Sequence, residues 1–210
     1  MTRAAAIKHG YTTSARTLAS RSVGGLTRTR VTPNALTTSG VLLCAAASVL
    51  VLFEGRNAIL FYWLAAAVFV AGSLLDILDG ALARAGGKTT PFGAFLDSTT
   101  DRVSEGFMLT AIAYVLATHH HPVFVAVAMA AVAGSFLVSY TRAKAEAIGL
   151  RGDVGIGSRA ERVVVIAAGL VLAPWGVLPW SLVLLAFTAW LTVGQRVLHV
   201  RKQLMEASSE

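Results

Sequence analysis

Four aspartates stand within 26 residues of a chain segment that is otherwise largely apolar: Asp76, Asp79, Asp97 and Asp101, in DILDGALARAGGKTTPFGAFLDSTTD. Asp76 and Asp79 are three residues apart and so share one face of a helix. Asp97 and Asp101 are four apart and do the same, with Gly93 one turn back on their stripe. Between the pairs, Gly80, Gly86, Gly87 and Thr89-Thr90-Pro91 read as a turn and a new helix start, Thr90 as the cap and Pro91 at the first helical position. Side by side, two such helices bring four carboxylates together. A carboxylate near the bilayer centre costs about 2.5–3.5 kcal/mol on insertion scales, so this cluster needs a compensating charge. One divalent cation or a pair of them supplies it, and hard oxygen ligands suit Mg²⁺ or Mn²⁺. Two carboxylate-held cations are a recurring device for displacement at phosphorus, and a carboxylate at the edge can take the proton of an attacking alcohol.

Neighbouring residues fit the same chemistry. Gly80 lets a backbone approach a ligand closely, and Arg84, one turn on, can grip a phosphate with two parallel N–H groups. Glu105 continues the Asp97/Asp101 stripe, but with Arg102 three residues away it reads as half of a structural pair.

The elements that must hold these residues are membrane spans. The chain has 210 residues, 55% of them hydrophobic, and a mean hydropathy of +0.67. Apolar runs over about 35–53, 58–75, 91–118, 123–141, 159–173 and 179–195 predict an all-α integral membrane protein with six transmembrane helices. Residues 1–32 hold six Lys and Arg and no acid, and predict an amphipathic juxtamembrane helix on the cytoplasmic surface. The expected organisation is therefore 1–32 juxtamembrane, 33–202 the six-helix catalytic domain, and 203–210 a cytoplasmic tail.

Six spans put both termini on one side. All of the 18 Lys and Arg except Arg56 then fall on that side or at helix ends facing it, which makes it the cytoplasm and opens the aspartates to it. A net charge of +7 spread in this way sets topology and argues against nucleic acid as a partner. Cys44 is the only cysteine, which excludes an internal disulfide.

Asp76-x2-Asp79-Gly80-x2-Ala83-Arg84-x8-Gly93-x3-Asp97-x3-Asp101 resembles, at all eight fixed positions, the signature of the CDP-alcohol phosphotransferases. The resemblance implies that Asp76, Asp79, Asp97 and Asp101 bind metal, two Mg²⁺ ions per site with Mn²⁺ as the alternative, and that Asp101 is the proton acceptor. It further implies CDP-diacylglycerol contacts from Asn34, Ala35, Leu36, Thr37, Gly80, Arg84 and Thr90, a homodimer, and a place in the bacterial cell membrane. The small residues Ala126, Ala130 and Gly134 permit close helix packing.

The stretches 139–153 and 159–162 resemble those of actinobacterial phosphatidylinositol phosphate synthases. That resemblance implies transfer of the phosphatidyl group of CDP-diacylglycerol to 1D-myo-inositol 3-phosphate (inositol 1-phosphate in L-numbering), with release of CMP. Lys144, Arg162 and Arg196, from the cytoplasmic ends of three spans, are the expected phosphate ligands of the acceptor. Where an acid is expected before Arg159-Ala160-Glu161-Arg162, this chain has Ser158. The alternative within the same chemistry is a phosphatidylglycerophosphate synthase using glycerol 3-phosphate. A more distant one is a divalent-cation transporter, but acids on the outward side are limited to Glu54, beside the run His119-His120-His121 that reads as a solvated loop.

Overall fold

The computed structural model describes residues 32–87 and 89–207. Within them the chain forms helices and no strand: α1 (Pro33–Val51), α2 (Ala58–Ala85), α3 (Pro91–Thr118), α4 (Pro122–Ala147), α5 (Arg159–Val171), a 3-10 turn at Ala173–Trp175, and α6 (Leu178–Ala207). The juxtamembrane helix expected over 1–32 lies, except for Thr32, outside the described residues, as do the last three residues of the tail.

Helix starts follow from local chemistry. Thr32 accepts the Ala35 N–H at 3.3 Å, Asn57 that of Leu60 at 3.0 Å, and Thr90 that of Gly93 at 3.0 Å, each satisfying an amide that the first helical turn leaves open. Prolines at 33, 91 and 122 occupy helix starts, where the missing N–H costs nothing. Ser158 opens α5 with a capping box, the Glu161 carboxylate reaching back to the Ser158 N–H at 2.7 Å. Ser and Asp cap helices equally well, so Ser158 does the local work an acid would do there.

Helices α1, α2, α4 and α6 are long and apolar enough to cross a membrane, and the chain is a multi-pass membrane protein. Helix α3 matches α2 at 28 residues but carries Asp97, Asp101, Arg102 and Glu105. Helix α5 has 13 residues. At ~1.5 Å per residue it is shorter than the hydrocarbon core is thick.

The chain divides into two compact units, one of residues through Leu43 with Ala71–Val103, the other of Cys44–Val70 with the chain from Ser104 onward. In the first, α1 crosses α2 closely, because a Cβ on Gly40 would stand only 2.9 Å from the Gly72 carbonyl oxygen. Contrary to the expectation of a turn at Gly80, α2 runs unbroken through it, and Gly86-Gly87 make the turn, with Gly87 at φ +61°. One glycine costs a helix about 1 kcal/mol, too little to end one held by packing.

In the second unit, Met108, Leu109 and Ile112 of α3, Ile166 and Leu170 of α5, and Leu182 and Leu185 of α6 form the centre of a buried core. Helix α6 lies against α4 where Gly134 is bare: a Cβ there would stand 3.0 Å from that of Ala189. The Trp190 indole N–H donates to the Ala130 carbonyl at 3.0 Å. Ala130 and Gly134, noted for their small size, therefore serve packing within the chain. At the other end of α3, His119 meets Glu54 at 2.8 Å, so one member of the histidine run has a carboxylate partner.

Candidate active site

Asp76, near the middle of the second half of α2, and Asp97 and Asp101, on successive turns of α3, each place a carboxylate oxygen within 4.8 Å of the other two. Asp76 is buried and the other two are half-buried. These are hard, anionic oxygen donors at a spacing one small divalent cation can bridge, so the residues present fit Mg²⁺ or Mn²⁺ and not a soft metal.

Asp79 stands outside this group of three. It is buried, and its carboxylate accepts the hydroxyl of Thr37, itself buried on α1. The Thr37 residue is thus both a wall of the site and the partner of an acid. Arg84 folds back over Gly80, whose Cβ, were there one, would be 3.2 Å from the guanidinium. The helical glycine therefore makes room for the arginine head.

Asn34, Thr37, Asp79, Gly80, Arg84 and Thr90 line a pocket of about 380 Å³, and Asp97 lines it too. Five of the seven positions expected to contact the nucleotide lie on it, whereas Ala35 and Leu36 do not. Thr32, Pro33, Ala83, Thr89, Gly93 and Ala94 also line it and lie outside the expected contact set. The signal for Gly93 was its place one turn before Asp97; Thr89 and Ala94 carry none. Asp97 belongs both to the metal-competent triad and to the pocket wall.

Arg102 donates to the Ser98 carbonyl and lies 3.4 Å from Asp101, so it is not the partner of Glu105. Glu105 pairs instead with Arg162, 57 residues away: Nε donates to Oε1 at 2.8 Å and Nη2 to Oε2 at 3.0 Å. A third donation, from Nη1, goes to the Gly157 carbonyl at 2.8 Å. Arg196 donates to the Val154 carbonyl at 2.9 Å and to that of Val138. Both arginines are buried, and Arg196 is within electrostatic reach of Arg162 and of Arg142. Lys144 is exposed in the last turn of α4.

These arginines hold the loop between α4 and α5. Thr192 accepts the Gly157 N–H at 3.0 Å, and the Gln203 amide bonds both the N–H and the carbonyl of Arg151, at 3.0 and 2.9 Å. Arg142, on the same helix as Lys144, is salt-bridged to Glu146 at 2.8 Å.

Residues 30–205 match the CDP-alcohol phosphatidyltransferase family model, and the chain belongs to that family. It is 37% identical over 175 residues to the archaetidylinositol phosphate synthase of Pyrococcus horikoshii, covering 83% of this chain and 86% of that one. The crystal structure of Mycobacterium tuberculosis phosphatidylinositol phosphate synthase with CDP-DAG bound aligns with a TM-score of 0.75 at 32% identity, covering 87% of this chain and 92% of the other. The same enzyme in complex with manganese and citrate aligns with a TM-score of 0.76 at 33% identity, covering 87% and 88%.

Proposed function

We propose that this protein transfers the phosphatidyl group of CDP-diacylglycerol to an inositol phosphate, 1D-myo-inositol 3-phosphate, giving phosphatidylinositol phosphate and CMP. The observation that carries the chemistry is the double membership of Asp97, which joins a carboxylate triad to the wall of a pocket ending in Arg84 and Thr90. The pocket size suits a small-molecule head, and Asn34, Thr37, Asp79, Arg84, Thr90 and Asp97 give its lining polar groups. The acceptor is supported by the relatives: a bacterial and an archaeal synthase whose names differ in their lipid share the inositol phosphate part.

In this reading Asn34, Thr37, Gly80, Arg84 and Thr90 seat the nucleotide, and the free amides at the starts of α1 and α3 favour its phosphates. Asp76, Asp97 and Asp101 hold divalent metal, with Asp79 as the fourth acid of a two-ion site; Mg²⁺ is the proposed ion, and it would neutralise the diphosphate and the departing CMP. Asp101 takes the proton of the acceptor hydroxyl as its oxygen bonds to the phosphorus bearing diacylglycerol and the bond from that phosphorus to CMP breaks. Lys144, Arg162 and Arg196 hold the acceptor's phosphate.

The membrane arrangement is six spans with an amphipathic segment before them, both termini and the site facing the cytoplasm of a bacterial cell, and a homodimer as the working form. Its support is the distribution of Lys and Arg around the apolar helices.

The test is CMP release from CDP-diacylglycerol by purified protein with Mg²⁺, supplying inositol 1-phosphate, free inositol or glycerol 3-phosphate separately. Release with inositol 1-phosphate alone is the expected result. Release with glycerol 3-phosphate alone would keep the aspartate chemistry and overturn the acceptor.

A further inference from the structure

Among the described residues of the second unit, Glu105 is the one buried acid, and both of its oxygens are taken by a single side chain. The Glu105–Arg162 pair has side-chain exposures of 9% and 4%. Stability does not explain it, because desolvating two charges offsets most of their attraction, and apolar replacements of such pairs are often neutral or stabilising. Orientation does. A bidentate carboxylate fixes the plane of a guanidinium as well as its position, which a single hydrogen bond cannot do.

A guanidinium has five N–H groups. Glu105 takes two of those on Arg162 and the Gly157 carbonyl a third, which leaves two for another oxygen ligand. The Gly157 contact ties the same guanidinium to the loop that Thr192, Arg196 and Gln203 secure. Arg196 brings further positive charge towards it. An arginine held on one edge by a carboxylate, with a like charge nearby, is set to receive an anion on its remaining donors.

We propose that Glu105 is a positioning residue for the phosphorylated acceptor: it aims Arg162, and through Arg162 it sets how tightly the acceptor's phosphate is held. The inference rests on the acceptor role given above to Arg162. Glu105 itself touches no substrate, and its loss acts on acceptor binding ahead of donor binding.

The experiment uses full-length protein purified in detergent, with CMP release measured while inositol 1-phosphate and CDP-diacylglycerol are varied in turn. Wild-type protein is read first; if inositol 1-phosphate does not stimulate it, the acceptor reading fails before any variant is considered. With wild type active, Glu105→Gln raises the acceptor KM by about tenfold or more, as loss of one charge-assisted contact would, and leaves the donor KM within about twofold. Glu105→Asp, which keeps the charge on a shorter arm, gives a smaller rise, and it carries the same comparison should Glu105→Gln not fold. Arg162→Met raises the acceptor KM as well, and Glu105→Gln/Arg162→Met raises it no further. Equal rises in both KM values, a fall in kcat alone, or additive effects in the double variant would each overturn the proposal.

Discussion

The Thr37 hydroxyl is hydrogen-bonded to the carboxylate of Asp79, 42 residues further along the chain, and both side chains are buried. Replacing the threonine by the isosteric valine keeps the shape and strips the carboxylate of this donor. A buried polar group left unsatisfied costs about 1–3 kcal/mol. Thr37→Val should therefore lower the thermal melting point in detergent and reduce CMP release, whereas Thr37→Ser should keep both near wild type.

Asp101→Asn removes a proton acceptor and keeps the side chain's size. General-base catalysis contributes about 10²–10⁴-fold, and CMP release should fall by that much. CDP-diacylglycerol binding, followed by calorimetry, should be largely preserved. Near-normal turnover would remove Asp101 from the role.

Stripping divalent metal with a chelator should abolish transfer, and Mg²⁺ or Mn²⁺ should restore it. Asp76→Asn and Asp97→Asn each remove one anionic ligand of the triad. Mn²⁺ binding followed by electron paramagnetic resonance should weaken in both, independently of turnover.

Gly80→Ala should move stability and activity in opposite directions. Alanine favours the helix by about 1 kcal/mol, so the melting point should hold or rise. The new methyl would press on the Arg84 guanidinium, 3.2 Å from where the Cβ would sit. The donor KM should rise about threefold to tenfold, the signature of lost uniform binding, with kcat little changed.

What the sequence made legible was local. The pairs Asp76/Asp79 and Asp97/Asp101 declare their shared faces through spacing alone, and Thr90-Pro91 declares a helix start. Gly80 reads as part of a turn but lies inside α2, because a glycine signals freedom without saying whether packing uses it. The partner of Asp79, Thr37, lies 42 residues away and is brought near by the packing of α1 against α2, which no local spacing announces. Glu105 had an arginine three residues away in sequence, yet its partner lies 57 residues on. Neighbours along a helix are visible in a sequence; a partner reached through the fold is not.

The loop between α4 and α5 is gripped almost wholly by its main chain. Arg196 takes the Val154 carbonyl, Arg162 the Gly157 carbonyl, Thr192 the Gly157 amide and Gln203 both groups of Arg151. Such contacts do not read side-chain identity. Gly155, at φ +118°, and Gly157, whose Cβ would stand 2.9 Å from the Thr192 hydroxyl, are fixed by shape. Arg151 and Ile156 are exposed, and no hydrogen bond in that grip uses their side chains, whereas the Asp153 carboxylate acts on Arg196 through its charge. Arg151 and Ile156 could be rewritten without moving the backbone that frames the buried arginines, so this loop combines a fixed path with a surface open to change.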